Sequence, residues 1–320
     1  MSPLISICIP CYKRVDYVIN TLNSIYRDNS DVSLDLYEVI ISDNDPQKEV
    51  LSIIDQFNYP NLKYYYTECE GFVNSYMSLK YGEGKFLKLL NSQTCLKKGS
   101  LAALLELVEQ DLEKHSVILS TNGQLERFNT VVYKSFDEFM YASSYYTSWS
   151  NAFGVWRDDY EKKTHDIVLN DLFPHTSVLM ALSNKSSFII DDRKLFDIQK
   201  IFKKGGHNMF KSFSIDYTSF IENKKNTKEI SLATYSKIKS DLVSKFFPHL
   251  YFKTKILRVD SYDSEGFKQN LNKYYSRGTY WRIIILSWLY PVSLLVKYIK
   301  NRFVSCLLYT SDAADDTPCV

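Results

Sequence analysis

The chain has 320 residues, 45% of them hydrophobic and 24% charged, with a net charge of +2. That is the composition of an ordinary globular protein, long enough for one large domain with an appendage or for two domains. The charge argues neither for nor against nucleic acid. No Lys/Arg stripe interleaved with aromatics is present, so nucleic acid is not an expected partner.

Tyrosine is frequent, at 25 residues. Tyrosines line carbohydrate and nucleotide sites, and a Tyr-rich core or surface explains the count equally well. The six cysteines lack paired metal-site spacing. Cys8 and Cys11 form a C-x-x-C, but Cys8 falls inside an expected strand and Pro10 sits between the two, which argues against a redox or zinc role. The N-terminus runs directly into Ile5–Ile9, too short and uncharged for a signal peptide. A cytoplasmic setting is expected.

Ile5–Ile9 reads as the first strand, ending in Pro10-Cys-Tyr-Lys-Arg14. A helix follows, with Asp16 as N-cap and Val18, Leu22, Ile25 and Tyr26 on one face. Tyr37–Ser42 is a second strand, closed by Asp43-Asn-Asp-Pro46. A helix through Val50, Leu51, Ile54 and Phe57 leads to a strand at Leu62–Tyr66. Gly71–Tyr81 reads as helical and carries Asn74. Lys85–Leu90 is a short apolar run suited to a buried parallel strand. It stops at the polar cluster Asn91, Ser92, Gln93 and Thr94. Gly99-Ser100 then opens a helix with Leu101, Leu104, Leu105, Val108 and Leu112 on its apolar side. Strand and helix alternate four times in about a hundred residues, which predicts an α/β fold with a doubly wound parallel sheet. Ligands of such sheets lie beyond the carboxyl ends of the strands, so Asn91–Thr94 is an expected place for chemistry. An ordinary polar loop is the plainer alternative there.

Val117–Ser120, Val131–Tyr133 and Ser187–Ile190 read as further strands, and Phe136–Tyr146 as a helix. Ser148–Trp156 is apolar and aromatic. His175 starts a helix through Val178, Leu179 and Leu182. Gly205-Gly-His-Asn-Met-Phe210 opens another, where backbone N–H groups near His207 suit a phosphate, unless the glycines simply make the turn. Glu222–Lys228 is Lys/Asn-rich and reads as a linker. Helices are expected over 230–247 and 265–275. Tyr280–Val296 is the most hydrophobic stretch, yet shorter than the roughly 20 residues of a membrane-spanning helix. Its Trp281, Trp288, Tyr290 and Tyr298, with Lys297, Lys300 and Arg302 beyond, suit a helix pair lying in a membrane surface; a buried packing helix is the alternative. The segment 306–320 reads as a translated sequencing adapter and is set aside as non-native. The expected division is therefore 1–222, 223–305 and 306–320.

Taken together, these residues resemble the family 2 glycosyltransferases, of GT-A fold, of bacterial surface polysaccharide synthesis. The resemblance spans about residues 4–222. Ile7-Cys-Ile-Pro-Cys-Tyr-Lys-Arg14 is similar to the family's opening strand and turn. Ile41-Ser-Asp-Asn-Asp-Pro46 is similar to the acidic turn after its second strand. Gly71 with Asn74 resembles a family helix start, and Gly84–Leu101 its strand, metal-motif and helix block. Gly205–Phe210 resembles a helix of one branch. The resemblance implies a mostly parallel Rossmann-like sheet with helices on both faces and a C-terminal helical extension. It implies a nucleotide-sugar donor, bound through Pro10, Tyr12, Arg14, Asp43, Asn44, Gly71, Asn74, Asn91 and Ser92. Among these, Asp43 suits a uracil or ribose donor, with an Asx-turn as its alternative. Tyr12 suits the base, and Lys13 or Arg14 the phosphates. Pro10 and Gly71 are read as shape-setting.

The family's D-x-D motif holds Mg²⁺ or Mn²⁺ on the diphosphate. Here Asn91, Ser92 and Gln93 align with it, and amide oxygens at Asn91 and Gln93 bring no charge to a hard cation. Three alternatives stand: a weakly held metal, metal-independent chemistry with Lys85, Lys88 or Lys97 offsetting the leaving-group charge, or an inactive protein. The family's base is an acidic pair at a helix start, where this chain has Asn170-Asp-Leu-Phe-Pro-His-Thr176. His175 aligns with the base by helix start and Asp171 by chemistry; His165 with Asp166 is a third choice. Trp149 and Trp156 are the expected acceptor residues. The implied activity is inverting transfer from a nucleotide-sugar to a hydroxyl of a lipid-linked or growing glycan, at the inner face of the membrane. The rival is a non-catalytic sugar-nucleotide or glycan-binding subunit of an assembly complex, and a nucleotidyltransferase is the weaker third.

Overall fold

The computed structural model describes residues 2–163, 167–201, 205–292 and 294–295. His165, Asp166, Lys297, Tyr298, Lys300, Arg302 and the segment 306–320 lie outside them. By contacts the chain forms two compact units. The first holds residues up to Ile201 together with Ile215–Lys239; the second takes its described residues from Phe202–Ser214 and from Ser240 onward.

The first unit is built on an eight-stranded sheet. Its opening half runs β1 (Ile5–Cys11), α1 (Val15–Tyr26), β2 (Tyr37–Asp43), α2 (Leu51–Ile54), β3 (Leu62–Tyr66), α3 (Val73–Lys80) and β4 (Phe86–Leu89). β1, β2 and β4 are buried along nearly their whole length, which is why each reads as an apolar run without alternation. One face of β1, through Ile5, Ile7 and Ile9, packs against Val18, Leu22 and Ile25 of α1. The N-cap position of α1 belongs to Arg14, in a left-handed conformation, and Asp16 lies in the first turn. The expected Asp16 cap is thus corrected: the helix starts directly behind the strand turn, with no side-chain cap.

The second half adds β5 (Thr94–Leu96), α4 (Ser100–Gln110), β6 (Val117–Ser120), β7 (Thr130–Tyr133), α5 (Phe136–Ser143), β8 (Phe153–Trp156), α6 (Arg157–Lys163), α7 (Pro174–Ala181), β9 (Phe188–Asp191) and β10 (Phe196–Ile198). The strand order is β3-β2-β1-β4-β8-β6-β9-β7, with β5 and β10 as a separate antiparallel pair. β8 and β7 run against the other six strands. The sheet is therefore mostly parallel, and the aromatic segment 148–156 supplies a central antiparallel strand. Gly154 is what lets β8 close on β4: a Cβ there would come within 2.5 Å of the Phe86 ring.

The order reverses between β1 and β4. The carboxyl ends of those two strands, Cys11–Arg14 and Leu90–Gln93, therefore flank the topological switch point, where open α/β sheets place ligands.

α8 (Met209–Lys211) and α9 (Thr218–Asn226) flank a π-wound stretch, Ser212–Tyr217. The helix runs through Glu222 to Asn226, so the expected linker at 222–228 is instead a helix end. α10 (Leu232–Asp241) follows it.

In the second unit, Gly205 bridges Ser261, and Asn208 caps α8 by accepting from Lys211 N at 2.8 Å. Asn208 Nδ2 also donates to Asp263 Oδ2 and the Glu265 carbonyl. The glycine pair thus serves a tight chain crossing. α11 (Phe247–Tyr251) lies between two π-wound segments, Leu242–Phe246 and Phe252–Ile256. Pro248, which lacks an N–H, sits at its start, where a wider winding removes the clash with the preceding turn. α12 (Phe267–Leu271) precedes a helix over 279–292. Among the described residues this is one helix through Pro291 rather than the expected pair. Among the described residues no helix is long and apolar enough to cross a membrane.

Candidate active site at the carboxyl ends of the sheet

The end of β1 is strained. Lys13 and Arg14 both have positive φ, 57° and 65°, a region that long side chains rarely occupy. Tyr12 is 55% exposed beside them. Pro10 pairs with Ser42 on the β2 side, and β4 has ended before it on the other, so its missing N–H costs no ladder bond. Gly71 has φ 52°, which fixes its identity as a turn residue.

Asn74, buried on α3, ties the strand ends together. Its Nδ2 lies 3.0 Å from the Cys11 carbonyl, 2.8 Å from the Ser42 carbonyl and 3.1 Å from Asn44 Oδ1. Its Oδ1 accepts from Ser42 Oγ at 2.6 Å. Asn74 is therefore the clasp between the β1 and β2 loops, with its donors spent on protein groups. Asn44 is held by it and by its own bond to the Cys69 carbonyl.

Asp43 ends β2 with its carboxylate buried. Oδ1 accepts from Asp45 N at 2.9 Å, and Oδ2 from Tyr64 Oη at 3.0 Å. Burial raises its pKa above the ordinary carboxylate value, against the pull of those two bonds. Two donors leave a carboxylate with spare acceptor positions. Tyr64, on the neighbouring β3, carries no signal in the sequence.

The Asn91–Gln93 turn is held by protein groups on several sides. Asn91 N donates to Asn151 Oδ1 at 2.8 Å, and Thr94 Oγ1 donates to the same atom at 3.1 Å. Ser150 Oγ donates to Asn91 Oδ1 at 2.9 Å. Thr21 Oγ1 of α1 donates to the Ser92 carbonyl at 2.9 Å. Gln199 N donates to the Gln93 carbonyl at 2.9 Å, which brings the end of β10 onto this turn. Beneath it, the buried Lys88 donates to the carbonyls of Asn151 at 2.6 Å, Leu89 at 3.0 Å and Phe153 at 3.4 Å. Burial pulls the Lys88 pKa down to about 7.

These contacts correct the expected roles of the lysines. The Lys88 amine is committed to carbonyls inside the fold. Lys85 lies at the amino end of β4, away from the turn, and Lys97 pairs with Asp197 at 3.4 Å. The turn itself offers a divalent cation no carboxylate, and Asn91 Oδ1 is already bonded. Among the described residues no group of three or more His, Cys, Asp or Glu is arranged to hold a metal. The donor set does not fit a tightly bound Mg²⁺ or Mn²⁺.

His175 is placed differently from expectation. It is buried in the first turn of α7, and its Nε2 lies 2.9 Å from the Ser148 carbonyl. A carbonyl only accepts, so Nε2 carries the proton and Nδ1 the lone pair. Nδ1 is buried and, among the described residues, has no hydrogen-bond partner. Burial lowers the pKa to about 4, so desolvation rather than the helix terminus keeps the ring neutral. The lone pair is thus sealed from an acceptor hydroxyl. Because the folded pKa lies below the ordinary 6.5, the contribution of His175 to stability is fully present above pH 6.5. It fades as pH falls from 6.5 towards about 4. The loss amounts to about 3 kcal/mol. Urea melts across this range check it, with a flatter profile expected for His175→Gln.

Asp171 is exposed in the loop before α7. Asn170 anchors that loop: its Oδ1 accepts from Leu172 N at 3.0 Å and Phe173 N at 3.1 Å. Its backbone N donates to Ser177 Oγ at 2.9 Å. Trp149 is half-buried, edge-on to Phe196 at 5.7 Å, beside the Ser150 and Asn151 that hold the turn. Trp156 is a correction. Its register with Phe86 puts it at the opposite end of the sheet, buried, with Nε1 donating to Asp111 Oδ2 at 3.2 Å. It cannot meet an acceptor at the carboxyl ends. Sequence reasoning passed over Asn151 and Thr21, whose roles depend on contacts with residues 57 or more positions away.

The likenesses to known proteins agree with this architecture. Residues 1–349 of S. aureus TarS, in complex with UDP-GlcNAc, superpose with a TM-score of 0.59 at 15% identity, covering 92% of each chain. The mannosyltransferase PcManGT from Pyrobaculum calidifontis, in complex with GDP-Man and Mn²⁺, gives a TM-score of 0.53 at 13% identity, covering 77% of this chain and 72% of its own. At such identities these structures show the shared GT-A fold. No curated protein matches the chain in sequence. The profile of Glycosyl transferase family 2 matches residues 6–189, more than half of the chain, and the protein belongs to that family.

Proposed function

We propose that the protein is an inverting glycosyltransferase that moves one sugar from a nucleotide donor, UDP-linked, to a hydroxyl of a lipid-linked or growing glycan of surface polysaccharide synthesis. The observation that carries this reading is the family membership together with Asp43 at the carboxyl end of β2, the Asn74 clasp between the β1 and β2 loops, and the Asn91–Gln93 turn after β4. The complexes of TarS with UDP-GlcNAc and of PcManGT with GDP-Man support a diphosphate nucleotide as donor. Asp43 accepts from the base or ribose, Tyr12 lies against the base, and Asn74 and Gly71 shape the loops that do this. Trp149 contributes to the acceptor side.

Asp171 is the base of this reading. The acceptor oxygen attacks the anomeric carbon opposite the leaving diphosphate. The anomeric C–O bond breaks, its electron pair leaves with the nucleoside diphosphate, and the acceptor proton passes to Asp171. Retained stereochemistry in the product overturns this mechanism. The turn without carboxylates and the sealed His175 favour one second reading, a non-catalytic sugar-nucleotide or glycan-binding subunit.

Calorimetric titration with UDP, GDP and dTDP tests the donor site. Micromolar binding of one nucleotide, lost in Asp43→Ala, is the expected result. No binding by folded protein overturns the reading, and binding without any transfer or donor hydrolysis favours the second one.

The second unit supports a place at the inner membrane face. Trp281, Ile285, Trp288, Leu289 and Val292 form an exposed apolar stripe on the helix over 279–292, with the exposed Lys268, Arg277 and Arg282 nearby in the chain. Lys268 Nζ lies 5.4 Å from the Trp281 ring. Such a stripe suits an anionic lipid surface. Sedimentation with phosphatidylglycerol vesicles but weakly with phosphatidylcholine is expected, and Trp281→Ala with Trp288→Ala should abolish it. Equal recovery without vesicles removes the membrane from the proposal.

A further inference from the structure

We propose that the donor's diphosphate is held without a divalent cation, by Lys13 and Arg14 at the start of α1 and by Lys200, which bonds from α1 tie beside the Asn91–Gln93 turn. The proposal rests on the donor reading above and adds what replaces the metal.

The turn lacks the chemistry a hard cation needs. Asn91, Ser92 and Gln93 carry no charge, and the Asn91 oxygen and backbone N are bonded to Ser150 and Asn151. A doubly charged cation would have to be held by neutral oxygens alone, where carboxylates normally supply most of the affinity. The diphosphate still needs neutralising as its charge grows in the transition state.

Lys200 is brought to this place by bonds that start from α1, and Lys13 and Arg14 stand at the start of the same helix. Thr21 Oγ1 of α1 holds the Ser92 carbonyl at 2.9 Å. Asn20 Nδ2 holds Gln199 Oε1 at 2.8 Å, and Gln199 Nε2 holds the Tyr17 carbonyl at 3.2 Å. Tyr17 Oη holds the Lys200 carbonyl at 2.9 Å. Gln199 N closes the ring onto the Gln93 carbonyl at 2.9 Å. Residues 199–200, the turn and the start of α1 are thus one bonded assembly. Lys13 and Arg14 lead directly into that helix, and Lys200 is tied to it through the Tyr17 hydroxyl.

Among the described residues each of the three has its charge unspent: none pairs with a carboxylate, and Lys13 Nζ lies 5.6 Å from the Tyr12 ring. Arg14 and Lys200 are exposed and Lys13 half-exposed. The backbone strain at Lys13 and Arg14 fits a turn kept for function, since Asn or Gly would adopt those φ values with less cost. Arg14 offers a planar fork to phosphate oxygens and the lysines offer point charges.

The test is UDP binding by calorimetry, in excess EDTA and in Mn²⁺, for the full chain and for Lys13→Gln, Arg14→Gln and Lys200→Gln. The expected result is equal affinity in EDTA and Mn²⁺, with each of Arg14→Gln and Lys200→Gln weakening UDP about tenfold. Both side chains are exposed, so the fold should persist, and a circular dichroism melt verifies it. UDP binding that requires Mn²⁺ overturns the proposal and leaves the donor reading intact. Unchanged affinity in all three variants does the same. Failure of every nucleotide to bind in either condition overturns the donor reading, and this proposal with it.

Discussion

Asp171→Asn is expected to lower kcat by about 10²- to 10⁴-fold, the usual worth of a general base. The substitution keeps the shape of the side chain and removes only its capacity to take a proton. Asp171 is exposed, and the loop is fixed by Asn170 and Ser177 rather than by Asp171 itself. Stability and nucleotide affinity should therefore stay near those of the parent protein. His175→Gln should behave the opposite way. It disturbs a buried contact with the Ser148 carbonyl, so it should cost stability, while the rate of the folded protein changes little. Initial rates of transfer beside thermal melts for both variants distinguish the two residues. A rate that survives Asp171→Asn but collapses in His175→Gln at unchanged stability would sink the assignment of the base.

The elements of the sheet were legible wherever a short apolar run was closed by turn residues. Leu62–Tyr66 and Val117–Ser120 match their expected bounds, and Tyr37–Asp43 differs by one residue. The second and third of these announce themselves because burial on both faces demands apolar side chains nearly throughout. Phe153–Trp156 was not legible as a strand. An aromatic segment buried on both sides has no period to read, and its antiparallel direction depends on pairing with β4 and β6. The three-residue strands β5 and β10 are too short to carry any pattern.

The candidate site divides along the same line. Asp43 and the Asn91–Gln93 turn were found because strand ends are positions in the sequence. What those residues touch was not. Lys88 reads as a cation for the leaving group, and only its contacts with the carbonyls of Leu89, Asn151 and Phe153 show it committed inside the fold. Trp156 shares a segment with Trp149, but the reversed strand carries it to the other end of the sheet. Direction, register and burial are long-range facts, and sequence spacing carries none of them.

Asn74→Ala is the second large effect, expected in stability first and in binding through it. The amide's two hydrogens are shared among three acceptors, the carbonyls of Cys11 and Ser42 and the Asn44 side chain. Its oxygen accepts from Ser42 Oγ. Alanine leaves this buried cluster without its centre, at a cost of about 3–4 kcal/mol. For a unit of this size that lowers Tm on the order of 10 °C. Water can replace the lost bonds only if the cleft opens, and opening separates the β1 loop from the β2 loop. Asn74 fixes the spacing between Tyr12, Lys13 and Arg14 on one side and Asp43 and Asn44 on the other. Nucleotide binding should therefore weaken at temperatures well below the new Tm, where the chain is still folded. Asn74→Asp is the sharper variant: it keeps the size but replaces the donor by an acceptor facing two carbonyls, so it should be at least as damaging. Melting curves and UDP titration at about 10 °C, where the variants stay folded, check both. Full nucleotide affinity in folded Asn74→Ala would show that the two loops keep their spacing without the clasp, and that its role ends at stability.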